Sequence, residues 1–218
     1  MAWMVSPQKS LLSGTQSRVR RRSFNVFLDY SVGIAGSIFT LLITPIVGLL
    51  IKLEDSGPVF HRREFVDCDG TVKHYLKFRT MVQNADEVLA SDPDLNRQFA
   101  EKHKLKGDPR ILRSGRLLRK FSIDEFPQFF SLLTGDLTFV GPRVISRGET
   151  VRYGELLPKL LSVKPGITGY WQVHGRQNTT YEERVRMDMY YVDHQSLGLD
   201  LMIVAKTFWT VVRGTGAH

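Results

Sequence analysis

Residues 30–51, YSVGIAGSIFTLLITPIVGLLI, decide the organisation of this chain, because no charged side chain lies between Asp29 and Lys52. A straight helix of this length would be about 33 Å long, enough to cross the hydrocarbon core of a bilayer. The residues that follow have the mixed composition of an ordinary globular domain. The sequence therefore predicts a membrane helix at residues 23–57 and a separate domain at residues 58–218.

Basic residues lie on both sides of the apolar stretch. They are Arg18, Arg20, Arg21 and Arg22 before it, and Lys52, His61, Arg62 and Arg63 after it. Cationic flanks tend to remain on the cytoplasmic side of a membrane. A spanning helix would place one cluster on the other side, whereas a re-entrant helix keeps both in the cytoplasm. Residues 1–22 lack apolar periodicity and are predicted to be a flexible basic tail.

A proline gives the change of direction a physical cause. Pro45 removes a main-chain donor, and its ring clashes with the preceding helical turn. It also disfavours helical dihedral angles at Thr44, whose hydroxyl can bond a carbonyl of that turn, such as that of Thr40. We therefore predict a helix broken at Thr44-Pro45. A kinked spanning helix is the alternative, because proline is common in such helices, and these residues alone do not decide between the two.

The composition limits the function. One cysteine, Cys68, excludes an internal disulfide and any zinc site built from paired cysteines. The formal net charge of +8 suits nucleic acid, an anionic membrane surface or a phosphorylated substrate, and the apolar stretch favours the last two. Nucleic-acid binding would also need a basic groove with stacking aromatic residues, whereas the aromatic residues here divide between the membrane stretch and the predicted core.

The domain after residue 57 is predicted to be mainly α-helical with a small β-hairpin, an α+β fold. Two strand-like segments, residues 59–63 and 72–78, flank the turn sequence Asp69-Gly70. Helical patterns recur at residues 81–90, 111–120, 181–191 and 199–212. The second of these has a cationic face that suits an interfacial amphipathic helix on a membrane or phosphate surface, and a solvated structural helix is the alternative.

A pair of adjacent carboxylates, Asp124 and Glu125, is the main candidate for chemistry. Ser122 and Glu125 have the spacing of a capping box, which predicts a helix that begins at Ser122 and ends near Gly135. The helix dipole and nearby cations would keep both acids ionised, and such a pair can supply a nucleophile and a Mg²⁺ ligand. Simple capping is the alternative, because acids are favoured at the start of any helix.

Other charged residues lie at loops and strand ends. The candidate phosphate ligands are Arg143 after Gly141-Pro142, Arg176 after Gly175, and Lys77 with Arg79 at the end of the second strand segment. Arginine binds phosphate through a planar fork, although each of these residues is alternatively a solvated side chain. Asp188 lies among methionines and tyrosines of a predicted helix, where an acid is alternatively a surface residue between core positions.

The order of the motifs is more specific than any single one. They are KFRTM at 77–81, Arg119 before DEFPQ at 124–128, GDLTFVGPR at 135–143, KPGITG at 164–169, WQV at 171–173, GR at 175–176 and DMYYV at 188–192. From about Phe24 onward the chain resembles the bacterial sugar transferase family, the monotopic polyprenyl-phosphate phosphoglycosyl transferases that initiate exopolysaccharide, O-antigen and glycoprotein glycan assembly. Three residues depart from the family pattern: Thr44 replaces serine at the helix break, Val144 the second proline of Pro-Arg-Pro, and Ser131 an asparagine.

The resemblance implies a re-entrant membrane helix and a two-step reaction. Asp124 would attack the sugar-bearing phosphate of a UDP-sugar, releasing UMP, and undecaprenyl phosphate would then accept the phosphosugar. Glu125, with Asp124, would hold Mg²⁺, for which Mn²⁺ can substitute. The remaining phosphate- or substrate-binding positions would be Arg119, Arg143, Lys77, Arg79, Arg176 and Asp188, the last with no assigned role.

The resemblance also implies a location in the bacterial inner membrane, with the catalytic domain facing the cytoplasm. The expected partners are a UDP-sugar, undecaprenyl phosphate and membrane lipids, and no nucleic acid is expected. Whether the protein forms a homodimer is left open by the resemblance. The sequence GYWQV at 169–173 is similar to that of members that transfer hexose phosphates such as galactose or glucose. A membrane-anchored scaffold without catalysis is the alternative function, and it would tolerate Asp124→Asn.

Overall fold

The computed structural model describes residues 23–102, 105, 107–175 and 179–213. Its α-helices are α1 (Ser23–Glu54), α2 (Ala85–Ser91), α3 (Pro93–Lys102), α4 (Arg113–Lys120), α5 (Phe129–Leu133), α6 (Leu157–Leu160), α7 (Tyr170–His174), α8 (Tyr181–His194) and α9 (Leu197–Val212). The strands are β1 (Phe60–Val66), β2 (Val72–Phe78), β3 (Thr138–Val140) and β4 (Gly166–Thr168). Short 3₁₀ helices cover Ile123–Gln128, Arg147–Arg152 and Gly154–Leu156. The prediction of a mainly helical fold with a small hairpin is confirmed.

The helix α1 contains the whole apolar stretch and continues through Pro45. The Thr44 hydroxyl donates to the carbonyl of Thr40 at 2.7 Å, as predicted. This extra bond partly offsets the main-chain bond that a proline removes from a helix. The helix therefore runs unbroken past Thr44-Pro45, and the predicted break there is wrong: the proline removes one main-chain bond and the helix continues.

One face of α1 is apolar and exposed. Among the described residues, Asn25–Glu54 is the helix long and apolar enough to cross a membrane, and only 28% of its most apolar window is buried. A core helix of a globular protein would bury most of that window. The exposed side chains include Phe27, Ile34, Ile38, Leu41, Leu42, Ile46, Leu49 and Leu53, a surface whose composition suits lipid contact.

The opposite face of α1 packs into the domain. Gly36 lies directly against α5, since a Cβ at this position would come within 2.3 Å of the Phe129 ring. Asp29 is almost fully buried and accepts bonds from the Thr138 hydroxyl at 2.9 Å and from the main-chain amide of Phe139 at 2.6 Å. A buried carboxylate needs such donors. The helix α1 is thus an integral part of the domain's core.

The predicted hairpin is confirmed. β1 and β2 pair antiparallel from Phe60 opposite Phe78 to Val66 opposite Val72. Gly70, in the turn, has a φ of 78°, a conformation that glycine adopts without steric cost.

A second, parallel pair was not predicted from the sequence. Strands β3 and β4 pair at Thr138 with Gly166 and at Val140 with Thr168. The segment after β3 and the start of β4 approach so closely that a Cβ on Gly166 would come within 2.2 Å of the Gly141 nitrogen. The Gly166 amide also donates to the Pro142 carbonyl at 2.8 Å. The loop that carries Arg143 is therefore fixed by main-chain contacts.

The capping box predicted at Ser122 is wrong. Ser122 has left-handed dihedral angles (φ 55°, ψ 23°), and its side chain caps no helix. Its amide donates to the Arg119 carbonyl at 3.1 Å, so it ends α4 in the conformation that usually follows a helix. Capping boxes occur instead at Ser146 with Glu149 and at Thr180 with Glu183. The predicted end of this helical region near Gly135 is confirmed by α5 and by the positive φ of that glycine.

The last helix exposes part of its apolar side. Leu201, Phe208 and Trp209 of α9 are about half or more exposed, while Ile203 is buried. The start of α9 lies beside that of α1, where the side-chain amide of Asn25 donates to the Asp200 carboxylate at 3.2 Å.

Candidate active site

The two carboxylates lie on the 3₁₀ helix Ile123–Gln128, directly after Ser122. Among the described non-glycine residues, only Ser122 has a positive φ. Such a conformation costs about 1–3 kcal/mol and is found preferentially at functional sites. The left-handed conformation of Ser122 turns the chain sharply between α4 and the helix that carries Asp124 and Glu125.

Lys77, near the end of β2, forms an ion pair with Glu125. Burial lowers the pKa of Lys77, but the negative charges of Glu125 and its neighbours outweigh this effect and raise it, so the lysine stays a cation. Burial likewise raises the pKa of Glu125, and the charge and hydrogen bond of Lys77 reverse this shift and hold it below its usual value. Glu125 is therefore a carboxylate across the physiological pH range.

Asp124 has a different environment from its neighbour. Burial and the adjacent Glu125 charge raise the pKa of Asp124 to about 6, against the opposing charges of Lys77 and Arg119. Arg119, on α4, is held in position by a bond from its Nε to the Thr80 hydroxyl at 2.9 Å. At neutral pH Asp124 is thus mainly ionised, while it is more basic than an ordinary aspartate and better able to share electrons with an electrophile.

Arg143 connects the dyad to a second group of residues. Its positive charge contributes to the low pKa of Glu125. Its guanidinium donates to Glu149 at 3.2 Å and lies over the Trp171 ring, 4.9 Å from the ring centroid. Glu149 and Trp171 therefore orient Arg143, and its positive charge acts on Glu125 of the dyad.

Asp188 supports this loop from inside the protein. It is fully buried, accepts the main-chain amide of Arg143 at 3.1 Å, and accepts the Tyr153 hydroxyl at 2.7 Å. Burial raises the pKa of Asp188 to about 6, although Tyr153, Arg143 and Arg184 act in the opposite direction. Asp188 is thus a core residue that positions the loop, and the surface position that we considered for it is excluded.

Two other sequence candidates take different places. Arg79 is buried and bonds the Asp55 carboxylate and the Asp55 and Pro58 carbonyls, which joins the end of α1 to β2. The Gly57 amide and Arg79 lower the pKa of Asp55 to about 2. Because the guanidinium is committed to these structural contacts, we leave Arg79 out of the phosphate-binding set. Arg176 lies outside the described residues.

Arg63 is a site residue that the motif reading did not single out. The register of the hairpin places Arg63 opposite Tyr75 and His61 opposite Lys77, so all four side chains lie on one face of the sheet. The charge of Arg63 also lowers the pKa of Glu125 and that of Glu149. The sequence contained one signal for this placement. Tyr75, the partner of Arg63, lies two residues before Lys77, so both side chains point to the same face of the strand.

The dyad offers a small donor set for a divalent cation. In the described part of the chain, no group of three or more His, Cys, Asp or Glu residues is placed to hold a metal ion. Mg²⁺ does not require one, because it commonly binds one or two carboxylates together with phosphate oxygens and water. Two carboxylates surrounded by lysine and arginine fit that kind of shared site better than a closed protein cage.

The site as a whole suits phosphoryl chemistry. A basic carboxylate, Asp124, lies beside an ionised one, and Lys77, Arg119 and Arg143 supply positive charge around them. Such cations stabilise the charge that develops on transferring phosphoryl groups. A polar cavity of about 610 Å³ lies elsewhere, at the end of α1 beside Glu54 and Glu87, and shares no residue with this site.

Comparison with known proteins agrees with this chemistry. The sequence model of the family described as "Bacterial sugar transferase" matches residues 20–214. The chain is 40% identical to a UDP-galactose-lipid carrier transferase of Erwinia amylovora, over 99% of this chain and 45% of that protein. It is 39% identical to an undecaprenyl-phosphate galactose phosphotransferase of Salmonella typhimurium, over 100% of this chain and 47% of that protein.

A shorter relative is matched over nearly its whole length. The exopolysaccharide production protein ExoY of Rhizobium meliloti is 37% identical over 91% of this chain and 88% of that protein. The chain therefore spans about half the length of the first two relatives and most of the third.

Proposed function

Since the chain belongs to the bacterial sugar transferase family, we propose that it transfers a sugar 1-phosphate from a UDP-sugar to undecaprenyl phosphate. The products would be undecaprenyl-diphosphate-sugar and UMP, and the reaction would begin the assembly of an exopolysaccharide, O-antigen or other glycan. A hexose is the favoured sugar, because the names of two relatives refer to galactose.

The observation that carries this proposal is the pair Asp124–Glu125, one acid made basic by burial and the other held ionised by Lys77. An Asp124 oxygen attacks the phosphorus that bears the sugar, and the bond from that phosphorus to the bridging oxygen breaks. The electron pair leaves with UMP, and a phosphosugar remains on the aspartate. A covalent intermediate of this kind divides one difficult transfer into two easier steps.

The second step reverses the first on a new partner. An oxygen of undecaprenyl phosphate attacks the same phosphorus, the bond to Asp124 breaks, and the carboxylate is regenerated. Arg119, Lys77 and Arg143 offset the negative charge that accumulates in both steps.

Mg²⁺ would be held by Glu125 with Asp124, and when bound it would neutralise charge on the diphosphate and polarise its oxygens. Lys77 keeps Glu125 ionised and thereby keeps a metal ligand available. We expect EDTA to abolish turnover and Mg²⁺ or Mn²⁺ to restore it, and Glu125→Gln to lose most activity with little loss of fold. Full turnover in the presence of chelator would remove the metal from the mechanism.

The membrane position follows from the two substrates. UDP-sugar is soluble, whereas undecaprenyl phosphate presents its phosphate at the membrane surface. The exposed apolar face of α1 would insert as a re-entrant anchor from the cytoplasmic side of the inner membrane, and the amphipathic helices would lie at the interface. This arrangement keeps the dyad at the depth of the lipid phosphate.

Trapping the covalent intermediate tests the mechanism. Wild-type protein given UDP-galactose without lipid should release one equivalent of UMP and gain the mass of a hexose phosphate on the peptide containing Asp124. Asp124→Asn keeps the size of the side chain, so the protein should fold but form no adduct. Release of UMP only when undecaprenyl phosphate is present, with no adduct at any time, would favour a direct transfer instead. A parallel panel of UDP-sugars identifies the donor.

A further inference from the structure

Trp171 on α7 holds two arginines. The guanidinium carbon of Arg143 lies 4.9 Å from the centroid of the Trp171 ring, and that of Arg184 on α8 lies at the same distance. Cation–π attraction stabilises each contact. The two guanidinium groups are therefore held within about 10 Å of each other. Burial and the charge of Arg143 lower the pKa of Arg184, which shows that the second cation is kept there at a cost.

Several donors around this ring are buried without a partner. They are Nε of Arg143, Nε of Arg184, Nε1 of Trp171 and the Tyr181 hydroxyl. A buried donor without a hydrogen bond costs about 1–3 kcal/mol, and native proteins leave few such groups unexplained. All four groups are hydrogen-bond donors, so what the cluster lacks is an acceptor.

The Tyr181 hydroxyl belongs to the same cluster. It lies close enough to both arginines for their charges to act on it, but burial and the negative charge of Glu149 dominate and raise its pKa to about 12. Tyr181 is therefore a hydrogen-bond donor at physiological pH. It lies three residues before Arg184 on α8, on the same face of that helix.

The acids nearby are already occupied. Glu149 accepts the amide and hydroxyl of Ser146 in its capping box as well as one guanidinium nitrogen of Arg143. Asp188 accepts Tyr153 and a main-chain amide. Arg184 forms no ion pair with an acid among residues 23–102, 107–175 and 179–213. The cluster thus keeps unused capacity for negative charge.

We propose that Arg184, Trp171 and Tyr181, with Arg143, form a phosphate-binding subsite next to the dyad, and this proposal rests on the function proposed above. Arg143 links the subsite to the dyad, because its guanidinium contacts Trp171 and its charge acts on Glu125. The ligand is a phosphate group that neighbours the transferred one. It belongs either to the nucleotide, as the phosphate that leaves in UMP, or to the lipid acceptor.

Charge removal at Arg184 distinguishes the two sources. Without lipid the reaction stops after one turnover, so we would measure the UDP-galactose concentration that gives half the maximal rate of adduct formation, called its KM below. We would also measure KM for undecaprenyl phosphate in the full reaction, each for the wild type and Arg184→Gln. Loss of a charged hydrogen bond should raise one KM about ten-fold or more. A rise in the first assigns the subsite to the nucleotide, and a rise confined to the second assigns it to the lipid. Arg186→Gln removes an exposed arginine from the same helix and should change neither KM by more than about two-fold.

A second variant separates binding from folding. In the free protein the Tyr181 hydroxyl has no partner, so Tyr181→Phe should leave the thermal unfolding temperature unchanged or raise it. The same variant should raise the KM that Arg184→Gln raises. Unchanged KM values in both variants, or a fall in kcat alone, would overturn the subsite.

Direct titration with UMP keeps this test separate from the proposed reaction. If the wild type transfers no sugar phosphate but binds UMP, and Arg184→Gln weakens that binding about ten-fold, the proposed function fails while the subsite stands. If the wild type turns over and neither UMP affinity nor either KM depends on Arg184, the subsite fails while the proposed function stands.

Discussion

The hydroxyl of Thr40, in the apolar helix α1, donates a hydrogen bond to the main-chain carbonyl of Phe126, two residues after Asp124, at 3.1 Å. Thr40 is completely buried, and its single hydroxyl hydrogen is shared between the Phe126 carbonyl and the Gly36 carbonyl of its own helix, which lies 2.7 Å away. The Phe126 ring packs between those of Phe39 and Phe129, with centroids 5.5 and 5.7 Å away. The helix proposed to enter the membrane is therefore in direct contact with the turn that carries the dyad.

This contact predicts that Thr40→Val lowers kcat for UMP release. Valine fills the same space but leaves the Phe126 carbonyl without this donor, so the turn can shift, and small displacements of a nucleophile reduce rates by about ten-fold or more. Thr40→Ser keeps the hydroxyl and should retain most activity. A Thr40→Val enzyme with wild-type kcat would mean that α1 acts as an anchor alone.

The ion pair between Lys77 and Glu125 predicts a large loss of activity in Lys77→Met. The change leaves the Glu125 carboxylate without its closest cation beside Asp124, which disfavours two negative charges in one buried site. We expect a fall in kcat/KM of about 100-fold, roughly 3 kcal/mol of transition-state stabilisation.

Lys73→Met is the matched control for that change. Lys73 lies on the same strand and pairs with Asp67 and Asp136, and its side chain is 39% exposed. Its loss should cost at most about 1 kcal/mol of stability and leave kcat/KM within a few-fold of the wild type. Equal losses in the two variants would indicate that Lys77 stabilises the hairpin rather than the dyad.

The elements that the sequence predicted well are those whose signals are local. The hairpin has its Asp-Gly turn, α4 its alternating leucines and arginines, and α8 and α9 their helical periodicity. The Thr44–Thr40 bond was also predictable, because it joins residues one helical turn apart. Each of these features depends on spacings of a few residues.

What the sequence did not predict depends on distant contacts. The pairing of β3 with β4 joins segments of three residues each, too short to show periodicity, and is recognisable only from the approach of Gly141 to Gly166. Arg184 and Tyr181 reach the site because α7 packs against α8. The spacing at Ser122 and Glu125 suggested a capping box. Ser122 instead adopts the left-handed conformation that ends α4, and its side chain does not cap the next helix.

Topology has its own test in cysteine labelling. If α1 re-enters, cysteines introduced at Ser17 and Ser56 should both react only from the cytoplasmic side, in a Cys68→Ser background. Without the Cys68→Ser change, the Cys68 thiol should react poorly, because burial raises its pKa to about 12. Pro45→Ala restores a main-chain donor to the helix and should move Ser17 to the periplasmic side in part of the population. Periplasmic labelling of the Ser17→Cys variant that keeps Pro45 would show a spanning helix.

The buried carboxyl of Asp188 predicts a distinct pH dependence of stability. Its pKa in the folded protein is about 6, whereas an unfolded aspartate has a pKa near 3.9. Between these values the folded state binds more protons than the unfolded state. The contribution of Asp188 to the free energy of unfolding is therefore greatest below about pH 4 and decreases as the pH rises through 6, by on the order of 3 kcal/mol in total.

Chemical unfolding of the full chain in detergent, at several pH values from 4.5 to 7.5, measures this effect by comparison with Asp188→Asn. The asparagine cannot ionise, so the decrease between pH 4.5 and 7 should be smaller in the variant than in the wild type by on the order of 3 kcal/mol. The part of the decrease that comes from Asp124, whose pKa is also about 6, should remain. Asp193→Asn on the same helix removes a half-exposed acid that pairs with Lys159 and should keep the wild-type profile. Parallel profiles for the wild type and Asp188→Asn would mean that Asp188 is ionised at no cost, and that its bonds to Tyr153 and the Arg143 amide fully replace water.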